Sequence, residues 1–121
     1  SFLSVHEGPQ AISKRNEVEL KPGMIVSNEP GYYLKNSYGI RIENLLLIKE
    51  PRKLTKTQKI PTLYFETLTY CPLDKELIIK DLLNNSEIEW INNYHLQIIK
   101  RYESKLLSEQ RSWLNKICSP I

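Results

Sequence analysis

The distribution of proline and glycine constrains this sequence more than any other feature. All four glycines and three of the seven prolines lie within residues 1–39, whereas residues 73–119 contain neither. Proline and glycine bound short strands and turns, while a long segment without them can form helices. We therefore predict an α+β chain, in which antiparallel strands come first and helices follow.

The first part predicts three strands. Residues 24–29 and 38–49 are rich in apolar and β-branched side chains, and they flank the turn-forming string PGYYLKNS, which favours a hairpin or two neighbouring strands. The run LLLI at 45–48 indicates that the second of these strands is buried on both faces. Residues 62–70 form the third strand, which stops before Pro72 because proline cannot donate to a ladder.

The second part predicts two helices. Ser86 and Glu89 have the spacing of a capping box, which begins a helix that continues to about Leu107. Residues at three- and four-residue steps form its apolar stripe: Ile88, Ile91, His95, Ile98, Tyr102 and Leu106. We assign His95 to packing or capping rather than to metal binding. A shorter helix is expected around residues 111–117.

Charge and composition argue against several classes of function. The formal net charge is only +3, and the basic residues, apart from a cluster at 51–59, are dispersed among acidic neighbours, so we expect no nucleic-acid partner. The apolar runs are too short to cross a bilayer, so we expect no membrane partner. Cys71 and Cys118 lack the close pairing of a zinc or redox motif, which is typical of free thiols in the cytoplasm. The start at Ser1, without an initiator methionine or signal peptide, suggests a trimmed chain.

Three residues are candidates for metal chemistry. Strand alternation places Arg41 and Glu43 on one face, where Glu43 is either a buried carboxylate that needs a cation or part of a solvated surface. Glu29 precedes a Pro-Gly pair that fixes the backbone, or it is an ordinary residue before a turn. His6, beside an acidic residue and a turn, is a third candidate, although a lone histidine is more often structural. These residue types suit Mn, Zn or Co, but their spacing matches no local metal motif.

Five strings in this sequence resemble a known family: VHEGP, PGMIVSNEPGYY, YGIRIEN, FETLTYCPLD and EIEWINNYH. In this order they are similar to Xaa-Pro aminopeptidases of the pita-bread metallopeptidase family, and the last string is similar to their longer, C-terminally extended type. The resemblance implies the C-terminal part of a pita-bread (creatinase/aminopeptidase) fold. It assigns residues 1–80 to the strand-rich half of the catalytic domain and residues 81–121 to a helical extension packed on it.

The resemblance also implies a dinuclear site for removing an N-terminal residue that precedes proline. The family binds two divalent ions, most often manganese, with zinc or cobalt as alternatives, through two Asp, one His and two Glu. The two Glu map onto Glu43, which bridges both metals, and Glu29, which binds one and takes a proton from the shared water. His6 resembles the histidine that contacts the scissile carbonyl or shuttles a proton. Tyr33 and Arg41 resemble positions that support the site.

The remaining three ligands have no counterpart among the 121 residues. We therefore expect a C-terminal fragment that is inactive alone and binds metal weakly or not at all. Its expected partners are a peptide with proline at the second position and either a second copy in a homodimer or the missing N-terminal part, and its expected location is the cytoplasm. The alternative hypothesis is a non-catalytic interaction module, or one half of a split protein, derived from the same fold.

Overall fold

The computed structural model describes residues 8–50 and 61–121, so His6 lies outside the described residues. The chain divides into two compact units, which we call the strand unit (Ser1–Thr69) and the helical unit (Tyr70–Ile121). The unit boundary comes earlier than residue 80, where the sequence suggested a domain boundary. That domain division, and the packing of the helices on the strands, stay predictions.

Two antiparallel sheets form the strand unit. Their strands are β1 (Ile25–Asn28), β2 (Gly31–Leu34), β3 (Tyr38–Arg41), β4 (Asn44–Lys49) and β5 (Tyr64–Thr67). The first sheet has the order β1-β4-β5, and the second pairs β2 with β3. The predicted neighbouring strands and the third strand are therefore confirmed. Two details were wrong: the string PGYYLKNS contributes strand β2 rather than a turn alone, and the predicted strand 38–49 is divided into β3 and β4.

Two tight turns fix the ends of these strands. Before β1, the Met24 N–H donates to the Lys21 carbonyl at 3.1 Å, and Gly23 between them has φ = 90°, a conformation open to glycine but strained for other residues. Between β2 and β3, Asn36 has φ = 59°, and asparagine is one of the few side chains that tolerate this region. The Pro22-Gly23 pair and the Asn36-Ser37 pair at the end of the string PGYYLKNS therefore lie in turns.

One face of the larger sheet is buried. Val26, Leu46 and Ile48 form its core, whereas the alternate residues Ile25 and Leu45 are 49% and 42% exposed. The prediction that β4 is buried on both faces was therefore wrong for the described residues. Side chains of an antiparallel strand alternate between faces, and within residues 8–50 and 61–121 only one of these faces is covered by packing.

The helical unit contains α1 (Asn85–Tyr102) and α2 (Ser108–Ile117), which confirms both predicted helices. The predicted capping box, Ser86 with Glu89, lies two residues after the one in the structure, Asn84 with Glu87. The Asn84 side chain accepts from the Glu87 N–H at 3.0 Å, and the Glu87 carboxylate accepts from the Asn84 N–H at 2.9 Å. Helix α1 ends before the predicted Leu107, because a 3₁₀ turn (Glu103–Lys105) follows it. No helix within the described residues is both long and apolar enough to cross a membrane.

The core of the helical unit is built around α1. Its buried cluster consists of Tyr94, Ile98, Leu114 and Cys118. The stripe predicted for α1 omitted Tyr94, whose hydroxyl is satisfied by donating to the Cys71 carbonyl at 3.0 Å and accepting from the Cys71 N–H at 3.2 Å. Cys71 and Cys118 are both free thiols, as predicted.

His95 is fully buried on the same helix. Its Nε2 accepts a hydrogen bond from the Leu73 N–H at 3.0 Å, whereas its Nδ1 has no hydrogen-bond partner within the described residues. An accepting Nε2 requires the neutral ring. Burial, and secondly the charge of Lys75, lower the pKa of His95 below its ordinary value of 6.5. The packing role predicted for His95 agrees with this environment.

We predict that the helical unit loses stability as the pH falls below 6.5. Because the folded pKa of His95 is lowered, its contribution is fully present above the unfolded pKa and is lost as protons bind the unfolded chain. Urea denaturation between about pH 7.5 and 5, followed by tryptophan fluorescence, measures this slope. Both tryptophans, Trp90 and Trp113, lie in the helical unit.

The matched control for this measurement is His95→Gln. Its amide oxygen can still accept from the Leu73 N–H, but the side chain does not titrate. The pH slope of this variant should be flatter than that of the unmodified chain. Equal slopes would show that the stability of this unit is not linked to His95.

Candidate metal centre

The antiparallel pairing is interrupted where the two candidate glutamate ligands lie. The pairs that flank the interruption keep a common register: Asn28 with Asn44, and Gly31 with Arg41. Between them, the Ile42 N–H still donates to the Pro30 carbonyl at 3.2 Å. Because the register does not change, Glu29 and Glu43 face each other across the two segments. The fold therefore brings two carboxylates together from positions 14 residues apart in the chain.

Glu29 is the more enclosed of the two glutamates. Its side chain is 11% exposed, compared with 44% for Glu43. The Ser27 hydroxyl, two residues earlier on the same strand face, donates to Oε1 of Glu29 at 2.7 Å. One oxygen of this carboxylate is therefore oriented by its own strand. Ser27 was not among the predicted site residues, although its two-residue spacing from Glu29 on one strand face is the signal that could have found it.

Arg41 joins both carboxylates. Its Nη1 lies 3.2 Å from Oε2 of Glu29, and its Nη2 lies 2.8 Å from Oε2 of Glu43. The charge of Glu43, followed by the influence of the Tyr33 side chain, raises the pKa of the Arg41 guanidinium above its ordinary value. Like charges directly opposite on neighbouring strands repel, so the guanidinium offsets the repulsion between the two glutamates.

This arrangement fits part of a site for divalent cations. Carboxylate oxygens are suitable ligands for Mn²⁺ and similar ions, and these two converge closely enough to contact one guanidinium. Within residues 8–50 and 61–121, however, no group of three or more His, Cys, Asp or Glu side chains is placed to hold a metal. The described residues therefore contain two candidate ligands, Glu29 and Glu43, and the predicted contribution of His6 lies outside them.

A cleft opens beside Glu29. It encloses about 620 Å³ and is lined by residues from segments 8–16 and 26–30, including Glu29. Polar side chains reach its walls: Gln10 donates to the Ile25 carbonyl at 3.3 Å, and Asn16 donates to the Pro9 carbonyl at 2.8 Å. The candidate ligand with the smaller exposure therefore borders the cleft of the strand unit.

Four of the five predicted site residues lie in described segments, and the fold brings them together. Glu29, Glu43 and Arg41 are joined by ion pairs, and Tyr33 contributes to the raised pKa of Arg41. Alternation along the sequence had placed Arg41 and Glu43 on one face. The common register across the break is what adds Glu29 to that face.

Comparison with known proteins gives matches along most of the chain. Residues 2–50 match metallopeptidase family M24, and residues 61–121 match the C-terminal region of peptidase M24. The chain is 42% identical, over 99% of its length, to a probable Xaa-Pro aminopeptidase P of Coprinopsis cinerea, and 42% identical, over its whole length, to one of Tuber melanosporum. It spans about one fifth of the length of each of these relatives.

One solved structure gives the same result for the fold. The chain is 33% identical to an X-prolyl aminopeptidase from Caenorhabditis elegans, described as a cytosolic enzyme with a di-nuclear active site. The similarity covers 84% of this chain and 17% of that one, with a TM-score of 0.71. The predicted fold class, an α+β portion of the pita-bread fold, is confirmed by this likeness.

We predict that Arg41→Met increases the affinity of the chain for Mn²⁺ severalfold. The guanidinium and a divalent cation compete for the same two carboxylates, and removal of the guanidinium eliminates that competition. The same change should lower thermal stability at low ionic strength, since the facing glutamates then repel each other. Isothermal titration calorimetry and thermal unfolding measure the two effects.

Lys49→Met is the control for Arg41→Met. It causes the same change in net charge but removes the partner of Glu66, 3.5 Å away, in the same unit. Its Mn²⁺ affinity should match that of the unmodified chain. If both substitutions change the affinity equally, the effect comes from overall charge and not from the Glu29–Glu43 pair.

Proposed function

Because this chain belongs to metallopeptidase family M24, we propose that it supplies two metal-ligating carboxylates to an Xaa-Pro aminopeptidase. Such an enzyme hydrolyses the bond between an N-terminal residue and a following proline. The observation that carries this proposal is the convergence of Glu29 and Glu43, opposite each other at an interruption of the sheet, on one guanidinium. Two facing carboxylates are costly for a strand pair unless cations compensate them.

The two glutamates have different roles in this proposal. Glu43, whose side chain is 44% exposed, would bridge two divalent ions, which we propose to be manganese. Glu29 is 11% exposed, has one oxygen fixed by Ser27, and would contact one ion. Two bound divalent ions would lower the pKa of the water that they share. Glu29 borders the cleft and would accept the proton of that water.

The remaining predicted residues support these two. Arg41 orients both carboxylates through its ion pairs, and Tyr33 restrains Arg41. His6 would donate to the carbonyl oxygen on which charge develops during hydrolysis. The cleft beside Glu29, at about 620 Å³, lies within the usual size range of small-ligand sites and would receive the start of the peptide.

The other ligands of the proposed dinuclear site, two Asp and one His, must come from outside these 121 residues. The sheet face that carries Glu29 and Glu43 also exposes Ile25 and Leu45, by 49% and 42%. We assign this apolar face to the part of the enzyme that holds the other ligands. The isolated chain would then have no peptidase activity. We also propose a cytoplasmic location, as stated for the C. elegans enzyme, and assembly as a homodimer.

A chimaera tests the proposed function. In it, these 121 residues replace the region that they match in the C. elegans X-prolyl aminopeptidase, and activity is measured on a peptide with proline at the second position. We expect turnover with Mn²⁺ from the chimaera and none from the isolated chain. Glu29→Gln and Glu43→Gln should each lower kcat/KM by at least about a hundredfold, the upper end of the cost of losing a residue that only supports a metal ligand.

Glu66→Gln is the matched control in the same chimaera. Glu66 is a half-exposed carboxylate of the same unit, paired with Lys49 and separate from the candidate site. Its substitution should leave kcat/KM within about twofold of the unmodified chimaera, as expected for a surface ion pair. A properly folded chimaera in which Glu43→Gln retains full activity would contradict the assigned metal role.

A further inference from the structure

Two glycines on facing strands lie under one tyrosine ring. Tyr33 on β2 pairs with Gly39 on β3, and Gly31 pairs with Arg41. A Cβ atom on Gly39 would lie 2.5 Å from Cδ1 and 2.9 Å from Cε1 of Tyr33. A Cβ atom on Gly31 would lie 2.9 Å from both Cε2 and the hydroxyl oxygen of the same ring. Carbon atoms pack at about 3.5 to 4.0 Å, so the ring occupies space that only glycine leaves free.

The backbone itself does not require glycine at these two positions. Among the described residues, Gly23 is the glycine with positive φ, so Gly31 and Gly39 have conformations that other residues adopt readily. Glycine within a strand is unfavourable, and it often marks a close approach by another group. The close approach here is the Tyr33 ring, which is therefore the physical reason for both glycines.

The position of the ring determines where its hydroxyl group lies. Because the hydroxyl extends over Gly31, the cross-strand partner of Arg41, it lies beside the Arg41 side chain, and Tyr33 contributes to the raised pKa of the guanidinium. Arg41 in turn contacts Glu29 at 3.2 Å and Glu43 at 2.8 Å. A continuous set of contacts therefore connects Gly39 to both candidate ligands.

We propose that Gly39 is a positioning residue for the metal centre: the space above it lets Tyr33 lie across the hairpin, and the Tyr33 hydroxyl holds Arg41 between Glu29 and Glu43. Gly31 provides the second half of the same surface, under the hydroxyl end of the ring. The significance for catalysis depends on the proposed function, whereas the geometric part does not. Gly39 acts through Tyr33 and Arg41 and touches no reacting group.

NMR spectra of the 121-residue chain, without metal or substrate, test the geometric part. In the unmodified chain, nuclear Overhauser contacts are expected from the Tyr33 ring to the α-protons of Gly39 and to the Arg41 side chain. Gly39→Ala should abolish the contact between Tyr33 and Arg41 while the contacts between β1 and β4 remain. Persistence of the Tyr33–Arg41 contact in this variant would overturn the proposal.

A second variant decides the outcome if Gly39→Ala unfolds the β2–β3 hairpin. In Gly39→Ala/Tyr33→Ser, the ring that the new methyl group would meet is absent, so the hairpin should form again. Recovery would support the proposal by isolating the coupling between the two positions. An unfolded hairpin in the double variant would show that Gly39 is needed for a reason other than Tyr33, which would overturn it.

Tyr33→Phe tests whether the Tyr33 hydroxyl positions Arg41 or whether the ring only covers Gly39. It keeps the ring over Gly39 and removes the hydroxyl. In the active chimaera, Tyr33→Phe and Gly39→Ala should each lower kcat about tenfold or more with little change in KM. The double variant Gly39→Ala/Tyr33→Phe should lower kcat by no more than the larger of the two single reductions. An unchanged kcat in Tyr33→Phe would overturn the proposal, whereas an inactive parent chimaera would count against the proposed function and leave the NMR result standing.

Discussion

The common register of the two antiparallel ladders is the constraint on which the candidate site depends. It places Glu29 opposite Glu43, and it places Arg41 two residues from Glu43 on the same face. A shift of one residue would turn one segment over and separate the carboxylates onto opposite faces. The register is fixed from both ends: by the burial of Val26, Leu46 and Ile48 on the other face, and by the tight turn at Asn36. The hydrophobic core and the turn thus determine the geometry of charged groups that neither of them contacts.

The charge arrangement at this point is poor for stability alone. Two facing carboxylates repel, and the Arg41 guanidinium, which pairs with both, is itself partly exposed, so these ion pairs contribute little net free energy. Sequences usually violate local rules of this kind at functional sites. The same holds for Gly31 and Gly39, which weaken two short strands but allow Tyr33 to reach Arg41. Electrostatic and conformational costs therefore concentrate within the same few residues.

The sequence predicted those parts of the structure that arise from local patterns. Alternation placed Arg41 and Glu43 together, and the Pro-Gly pair after Glu29 indicated a break in the strand. The pattern could not reveal that Tyr33 belongs to a strand, because its aromatic neighbours lie between turn signals and gain their pairing from β3. Nor could it distinguish burial on one face of β4 from burial on both, since coverage of a sheet depends on segments distant in sequence.

The same limit explains the errors in the helical unit. Asn84 and Ser86 are both good capping residues, and each is followed three residues later by a glutamate. Spacing alone therefore does not decide between them. In the structure the Glu87 carboxylate accepts from the Asn84 N–H, so Asn84 is the N-cap. The predicted stripe stepped from Ile91 to His95 and so omitted Tyr94, whose hydroxyl finds both a donor and an acceptor in the backbone of Cys71. Polar side chains become core residues when the backbone of another segment satisfies them. In both units, the sequence therefore does not determine which distant residues pair with each polar group. The candidate site depends on such pairing, because Arg41 joins Glu29 and Glu43 from different segments of the chain.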